Sequence, residues 1–570
     1  MREMLQTDLA LIFPYRSWDN FTNHQNNSYH PLGLHSISAY VKQFDYTTRV
    51  VTKQSKELTT FLEEQIKEIV IIGFSCLEDN LVVAANAIRY IKKRYPDKII
   101  FVGGPQAMHL DAKFLEATNC DVIIRGEGEL VIKALLDYYI KGIGILEEIK
   151  GIVCKKDGKV IDSGISDLIC NLDELPFPDV IYGEDETVAS IITGRGCPYH
   201  CAFCFDGGNS RKVRYRSIEN VIEELDFIFS QNPQIRVIQF VDDTFMMNIK
   251  RTEKICEYFE ELRKHRDVEW ICEANVINID RYPEMIDRMV KAGLIAMQVG
   301  IESGSDTVLK VYNKPSNIDM ILRVFKICKA VQLKSLEGQI IVGGAFESDE
   351  TIAYDCDLAR NIIKAGVGIT DISTVFLWPF PRTPITDSPE QFGIEIDKER
   401  VEHSIASLQN PVTSTKELTT DQIIYAKKKI DQVISTTYLS CCLSMKREEV
   451  LKLWNPKTGR FVTKWGNYLN SYAHIITSIS MGAGNLTEYL EKFTLGEIYA
   501  VRTFALLQYE GKMLKFYRIE WTKSEQKILE LSTGKISMQT ILERLGAEEE
   551  EVIEICNQLY DRCLLTFSLC

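Results

Sequence analysis

The chain has 570 residues, with 66 basic and 80 acidic side chains and a formal net charge of −14. This length predicts two to four domains, and a hydrophobic content of 45% supplies large cores. An acidic chain is a poor partner for nucleic acid, because phosphate contacts favour a basic surface. We find neither a signal peptide nor a run of about 18 apolar residues, so the sequence predicts a cytoplasmic protein with no membrane span. Most of its sixteen cysteines are scattered, which is typical of reduced thiols in a cytosol.

Residues 1–145 alternate short β-branched apolar runs with helical patterns such as 81–93 and 129–139. This alternation predicts an α/β fold with a doubly wound, Rossmann-like parallel sheet. Ligands of such sheets bind at the carboxyl ends of the strands. The predicted strands are 8–13, 48–51, 69–74, 99–102 and 121–124.

Several loops at those strand ends contain glycine, which lets a ligand approach the backbone closely. Each of these loops, taken alone, also fits an ordinary tight turn. The candidate positions are Pro31 and Gly33 at the start of the first helix, then Phe74, Ser75, Cys76, Leu77, Gly103, Gly104, Pro105, Gly126 and Glu127 in three strand-end loops.

A second alternating segment follows a proline-punctuated connector at 146–188. Residues 189–390 contain six predicted strand and helix units, which fit a partial (β/α)6 barrel. Polar side chains fall at the ends of its strands, where barrel active sites are built. They are Asp242 and Asp243 after the second strand, Glu273 after the third and Glu302 after the fourth. An alternative for these acids is N-capping of the following helices.

The loop after the first of these strands reads Cys197-Pro198-Tyr199-His200-Cys201-Ala202-Phe203-Cys204. Three thiolates on one short loop can hold three irons of a four-iron cluster and leave the fourth iron open to a small molecule. A structural zinc loop is the alternative. Zinc sites use two separated cysteine pairs, and no second pair follows at a suitable spacing.

The Cys-x3-Cys-x-aromatic-Cys pattern resembles the signature of radical S-adenosylmethionine (radical SAM) enzymes. Residues 214–217, 241–245, 300–305 and 378–384, in this order, resemble the branch of that family with an N-terminal cobalamin-binding domain. The resemblance covers roughly residues 1–390. It implies a [4Fe-4S] cluster on Cys197, Cys201 and Cys204, with S-adenosylmethionine bound to the open iron.

The resemblance and the chemistry of the side chains assign candidate roles around S-adenosylmethionine. Glu302 and Ser303 can bind ribose hydroxyls, and Arg216 can pair with the carboxylate. The complete set of candidates is Phe203, whose main chain would meet the adenine, with Arg216, Asp242, Asp243, Glu273, Glu302 and Ser303.

The same resemblance implies that cobalamin binds the eleven strand-end positions in residues 1–145. The Asp-x-His-x-x-Gly element that supplies a cobalt ligand in other cobalamin proteins is absent. The resemblance places the loop of residues 75–79 beneath the cobalt, which implies that Leu77 covers the lower face of the metal.

The last third of the chain lies outside the region that resembles this family. Residues 391–512 are predicted to be mostly helical. Residues 513–570 resemble a small winged-helix domain with helices starting at Thr522, Ser537 and Glu548. Five basic against nine acidic residues in 521–570 disfavour DNA. The two alternatives for this segment are a domain that binds the leader peptide of a substrate and an appendage that only packs against the rest of the protein.

The sequence therefore predicts a cobalamin-dependent radical SAM enzyme that methylates an unactivated carbon of a peptide or natural product. An electron donor of the flavodoxin or ferredoxin type is the expected partner. The alternatives are oxidative cyclisation or rearrangement without methyl transfer, and a cobalamin- or redox-responsive binding protein.

Overall fold

The structure, a computed structural model, describes residues 6–15, 30–77, 80–205, 212–403, 410–455, 460–461, 465–466, 484–502, 508–509, 512–513, 522–562 and 564–569. Across these ranges, no helix combines the length and the apolar character that crossing a bilayer requires.

The N-terminal part is the predicted doubly wound sheet. Its first five strands are parallel, in the spatial order second, first, third, fourth and fifth. Ala10, Ile72 and Ile100 are fully buried, as expected where helices cover both faces of a sheet. The strands are Thr7–Tyr15, Thr48–Gln54, Ile69–Ser75, Ile99–Gly103 and Val122–Ile124, and the helices are Leu32–Lys42, Ser55–Gln65, Leu81–Arg94, Ala112–Thr118 and Gly128–Leu136.

The sheet runs past the predicted boundary at residue 145. Strands Ile152–Lys156 and Lys159–Asp162 add to it as an antiparallel hairpin next to Val122–Ile124. The predicted connector 146–188 thus supplies two edge strands before it reaches the barrel. The hairpin escaped the sequence reasoning because its second strand is largely exposed and lacks a continuous apolar run.

The central part is the predicted partial barrel. Six parallel strands pair in sequential order. Phe240, Phe259 and Trp270 pack together in its core. The strands are Val188–Ile191, Val237–Phe240, Glu269–Ala274, Leu294–Glu302, Ser335–Val342 and Thr370–Phe376, and the helices are Ile218–Gln231, Ile249–Leu262, Val276–Arg281, Pro283–Lys291, Asp306–Val311, Ile318–Ala330 and Asp349–Ala365.

The region 391–512 is not only helical. The helix Thr420–Ser444 packs on Asp349–Ala365 and on the last barrel strand, and Tyr438 Oη donates to the carbonyl of Thr370 at 3.0 Å. Helices Lys398–His403, Arg447–Leu453 and Leu486–Leu490 accompany strands Ile394–Ile396, Thr413–Thr415, Trp454–Asn455, Arg460–Phe461, Ile498–Arg502, Gln508–Tyr509 and Lys512–Met513.

The C-terminal unit has the predicted helices Lys523–Leu531, Met538–Leu545 and Glu549–Asp561, and the first two are capped by Thr522 and Ser537. Its three-stranded antiparallel sheet places Ile498–Arg502 between Thr533–Ser537 and Leu565–Leu569. The unit therefore recruits a strand from before residue 513. That strand was missed because its partners lie more than thirty residues away in sequence.

Candidate active site

The cysteine loop leaves the first barrel strand through a short antiparallel bridge. Gly194–Arg195 pairs with Arg214–Tyr215, so the two ends of the loop lie side by side. Cys201 is buried, and Cys197 and Cys204 are half-buried. Within the described residues, no three His, Cys, Asp or Glu side chains converge as ligands of a single metal ion.

The segment after the helix Asp306–Val311 holds the cysteine loop in place. The amide of Ala202 donates to the carbonyl of Tyr312 at 2.8 Å. The side chain of Asn313 donates to the carbonyl of His200 at 3.0 Å. The ring of Phe203 packs edge-on against Tyr312, with centroids 5.0 Å apart. The loop is thus fixed by one main-chain hydrogen bond, one side-chain hydrogen bond and one ring contact, none of which involves a cysteine side chain.

A buried ion pair lies beside this loop. Lys314 Nζ is 2.7 Å from Glu302 Oε1, and each side chain is only 10% exposed. Burial alone would lower the pKa of Lys314, but Glu302 and the thiol of Cys201 raise it above its ordinary value. The ammonium is also 5.9 Å from the ring centroid of Phe203. The site therefore contains a fixed positive charge next to two of the cysteines.

Glu302 occupies an unusual backbone position. Its φ is +58°, and the pairing register of its strand shifts between Gly300 and Glu302. Such irregularities re-aim a side chain at the end of a strand. Here the carboxylate turns towards Lys314, which takes up one of its oxygens.

The two aspartates after the second strand bind the base of the cysteine loop. Asp242 accepts from the amide and the hydroxyl of Thr193 at 2.6 and 2.5 Å, and Asp243 accepts from the amide of Gly196 at 2.9 Å. Burial raises the pKa of Asp242 to about 6, against the opposing effect of these hydrogen bonds. The alternative that one of them caps a helix is wrong, because Asn248 caps Ile249–Leu262.

Two buried carboxyls support the ends of the fourth and fifth strands. Asp355 accepts from Ser303 Oγ at 3.1 Å and from the amide of Gly304 at 2.5 Å. Glu347 accepts from the amides of Gly343 and Gly344. Burial raises the pKa of Asp355 to about 7, and burial together with Asp355 raises that of Glu347 to about 8.

Arg216, predicted to pair with the carboxylate of S-adenosylmethionine, is buried among protein partners. Its guanidinium donates to Glu224, to Asn220 Oδ1 at 2.7 Å and to the carbonyl of Ile192 at 2.9 Å. It also stacks on Phe177. These protein partners occupy its donors in this structure. Glu273 is exposed at the end of the third strand, as predicted.

The N-terminal strand ends bring together two of the predicted loops. The amide of Cys76 donates to the carbonyl of Gly103 at 2.8 Å. Gly104 has a φ of +91°, and a Cβ there would lie 2.8 Å from the backbone of Cys76. Only glycine fits this crossing. Phe74 and Cys76 are buried in the core, whereas Ser75 and Leu77 are half-buried at the rim.

The remaining predicted positions divide into open and occupied ones. Among the described residues, no atom lies within 4 Å of a Cβ placed at Gly33, so these residues leave the start of the first helix open. Pro105 is exposed and Pro31 is buried. Gly126 packs against Ser166, with a φ of +100°. Glu127 is bound by Arg214 at 2.7 Å.

The strand ends of the N-terminal sheet and the cysteine loop of the barrel meet at a cluster of aromatic rings. The ring of His109, after the fourth sheet strand, is 5.9 Å from that of Phe205, which follows Cys204 directly. Phe205 lies 6.3 Å from Phe380 of the barrel. Burial, with Arg382 and Arg125 nearby, lowers the pKa of His109 to about 4. The carboxyl ends of the sheet strands therefore adjoin the cysteine loop.

Comparison with known proteins assigns both parts of the chain. A model of the radical SAM superfamily matches residues 191–359, and a model of the B12 binding domain matches residues 22–136. The chain therefore contains a radical SAM domain and a B12-binding domain.

Two curated relatives and one solved structure extend this assignment. An uncharacterized methyltransferase of Pyrococcus horikoshii is 27% identical over 347 residues, which are 58% of this chain and 73% of the relative. The anaerobic magnesium-protoporphyrin IX monomethyl ester cyclase of Rubrivivax gelatinosus is 26% identical over 351 residues, 58% of this chain and 62% of the cyclase. The chain thus spans about three fifths of that cyclase.

The solved structure is that of the cobalamin-dependent S-adenosylmethionine radical enzyme OxsB with aqua-cobalamin and S-adenosylmethionine bound. Its TM-score is 0.62, over 98% of this chain and 83% of that chain, at 16% identity. At this identity the likeness is one of fold.

The residues present fit the cofactors of these two domains. The radical SAM domain offers three cysteines on one loop, each able to bind its own iron of a cluster. The B12-binding domain offers an uncrowded helix start at Gly33 and a half-buried rim at Ser75 and Leu77.

Sequence reasoning missed Lys314, Glu347 and Asp355 as members of the site. Lys314 and Glu347 lie in loops, after the helix Asp306–Val311 and after the fifth barrel strand, and no sequence motif marks either residue. Asp355 lies within the helix Asp349–Ala365 on the buried face that also carries Ile352, Cys356 and Ala359, so helical periodicity could have distinguished it from the exposed acids of the same helix.

Proposed function

We propose that this protein is a cobalamin-dependent radical SAM methyltransferase that acts on an unactivated carbon. The observation that carries the proposal is the junction at which the strand ends of the B12-binding domain adjoin the cysteine loop, through His109 and Phe205. A group delivered from one face and a radical made at the other have to meet before water quenches the radical. When bound, the cluster with S-adenosylmethionine supplies hydrogen abstraction and cobalamin supplies the methyl group.

The residues of the chain have defined parts in this proposal. Cys197, Cys201 and Cys204 would hold the cluster. Glu302 and Ser303 would bind the ribose of S-adenosylmethionine, with Lys314 and Asp355 fixing their positions. Arg216 would support the first barrel strand, since its donors are already used by Glu224 and Asn220.

The cobalamin site would be built from the strand-end loops. The half-buried Leu77 would lie beneath the cobalt. Glycines at positions 33 and 103 would leave room for the ring. Glu127 would act through its ion pair rather than by contact with the ligand. The reaction also needs an electron, for which a donor of the flavodoxin or ferredoxin type is proposed.

A second reaction has support from one relative. The similarity to an anaerobic magnesium-protoporphyrin IX monomethyl ester cyclase favours ring formation without methyl transfer as the alternative. For either reaction, the proposed substrate is a peptide or another natural product.

The two reactions can be separated without knowing the substrate. The anaerobically reconstituted protein is incubated with S-adenosylmethionine and a strong reductant, and the nucleoside products are quantified. Methyl transfer from one S-adenosylmethionine to bound cobalamin leaves S-adenosylhomocysteine, whereas one-electron cleavage of a second S-adenosylmethionine leaves methionine and, after hydrogen abstraction, 5′-deoxyadenosine, so methyl transfer predicts both nucleosides. Formation of 5′-deoxyadenosine alone would support ring chemistry, and absence of both products would refute both assignments. Cys204→Ser is the inactive control, and the exposed Cys170→Ser is the matched active one.

A further inference from the structure

Two arginines mark the two ends of the cysteine loop. Arg195 stands two residues before Cys197, and Arg214 stands where the chain returns from the loop. The two residues pair directly across the antiparallel bridge. Any group that binds both arginines therefore binds the loop by its base.

The sheet domain provides such groups from the turn after its fifth strand. Glu127 Oε1 is 2.7 Å from Arg214 Nη2, and Glu127 Oε2 is 3.0 Å from Arg214 Nη1. The same carboxylate lies 3.4 Å from Arg195 Nη1. Glu129 Oε1 accepts from Arg195 Nη2 at 2.7 Å and from Ser36 at 2.8 Å. Two carboxylates of one turn thus hold both ends of the loop.

These contacts are buried and directional. The side chains of Arg214 and Glu129 are each only 4% exposed. A third partner fixes Glu127, because the amide of Ile169 donates to Oε2 at 2.7 Å. Although burial opposes it, Arg214 and the Ile169 amide lower the pKa of Glu127, so the carboxylate stays charged. Paired arginine–carboxylate hydrogen bonds specify orientation as well as proximity.

The turn that carries these acids also belongs to the ligand face of the sheet. The strand Val122–Ile124 is followed directly by Arg125, Gly126 and Glu127. The turn after this strand therefore adjoins the B12-binding face, and its residues Glu127 and Glu129 bind the arginines at the base of the cysteine loop. No other pair of charged residues described here joins that strand-end turn to the base of the loop.

We propose that Glu127 and Glu129 are positioning residues that set the distance and orientation between cobalamin and the iron–sulfur cluster. The proposal requires that both cofactors bind, and it holds for methyl transfer and for ring formation alike. Loss of the carboxylates leaves both binding sites intact but lets the two domains shift against each other.

The test measures the distance between the two cofactors. Cob(II)alamin and the reduced cluster are both paramagnetic, so pulsed electron paramagnetic resonance reports their dipolar coupling in the substrate-free holoprotein. In Glu127→Gln and in Glu127→Gln/Glu129→Gln we expect a broader and shifted coupling, with iron and cobalamin contents close to wild type. Nucleoside assays on the same samples keep a failure of the proposed function separate from a failure of this inference.

The matched control is Asp162→Asn. Asp162 pairs with Arg125 at 3.0 Å, so this change breaks an ion pair next to the same turn without touching the loop. Its coupling should equal that of wild type. An unchanged coupling in the Glu127 variants, or an equal change in Asp162→Asn, would overturn the proposal. If the Glu127 variants fail to load both cofactors, Arg195→Gln decides in the same way, since its side chain is the least buried of the four.

Discussion

Lys314 and Glu302 form an ion pair of 2.7 Å beside the cysteine loop, and both side chains are nine-tenths buried. Removing one partner of such a pair strands the other charge in a poorly solvated place. The ammonium also lies close to the thiols of Cys201 and Cys204, which raise its pKa together with Glu302. If those thiols hold an iron–sulfur cluster, as proposed, a fixed cation at this position would stabilise an electron added to the cluster.

Lys314→Met should therefore lower the midpoint potential of the cluster, because net charge near a cluster sets its potential. It should also cost about 3–5 kcal/mol of folding free energy through the unpaired Glu302. A redox titration followed by electron paramagnetic resonance measures the first effect, and urea unfolding measures the second. Lys314→Arg keeps the charge and should retain most of the potential. Equal potentials in Lys314→Met and wild type would show that the ammonium does not influence the cluster.

Glu347 should make the stability of the protein depend on pH. Burial raises its pKa from 4.5 to about 8, so the fold favours the protonated carboxyl. The stability it contributes is fully present below about pH 4.5 and is lost as the pH rises through about 8, at no more than about 1.4 kcal/mol per pH unit. Glu347→Gln should flatten this decline, as measured by urea unfolding at pH 5 and pH 8.

The control for this experiment is Glu350→Gln, an exposed position in the first turn of the helix Asp349–Ala365, which follows Glu347 in the chain. It should leave the difference between the two pH values unchanged. A Glu347→Gln protein that loses as much stability as wild type between pH 5 and pH 8 would contradict the raised pKa.

Arg216→Gln should weaken folding rather than cofactor binding. The change leaves the buried Glu224 without its partner, at a cost of about 3–5 kcal/mol. Calorimetry on the folded, reconstituted variant should give an affinity for S-adenosylmethionine within about threefold of wild type, a difference below about 1 kcal/mol. A loss of affinity of a hundredfold or more would instead support direct pairing with the carboxylate of the cofactor.

The sequence predicted the architecture well where periodicity is strong. The five parallel strands of the sheet lie within a few residues of their predicted positions, because continuous apolar runs mark them, and the barrel has the six predicted strands. The strand Ile498–Arg502 was missed, since its pairing partners are distant in sequence. Local patterns cannot show such non-local pairing.

The sequence predicted which residues lie at the site but not which partners bind their side chains. The spacing of Cys197, Cys201 and Cys204 identified the loop, and chain order identified the strand ends. The partners of Arg216 and Glu127 could not be read from the sequence, because Glu224 is an unremarkable helical acid and Arg214 lies 87 residues beyond Glu127. These two ion pairs determine which hydrogen-bond donors and acceptors remain available to a ligand.

The half-buried Leu77 at the strand-end rim predicts the state of the cobalt. Cob(II)alamin bound to the wild-type protein should show an electron paramagnetic resonance spectrum without nitrogen splitting from an axial ligand, because leucine offers no donor. Leu77→His should introduce that splitting if position 77 lies beneath the cobalt. Nitrogen splitting in the wild-type spectrum would contradict this placement.

The central claim is that this chain moves a methyl group through cobalamin at the junction of its two domains. Its most direct test follows methyl-labelled S-adenosylmethionine in the reduced, reconstituted protein and analyses the bound cobalamin by mass spectrometry. The account predicts labelled methylcobalamin in wild type. Recovery of unlabelled cobalamin from protein that still forms 5′-deoxyadenosine would contradict it.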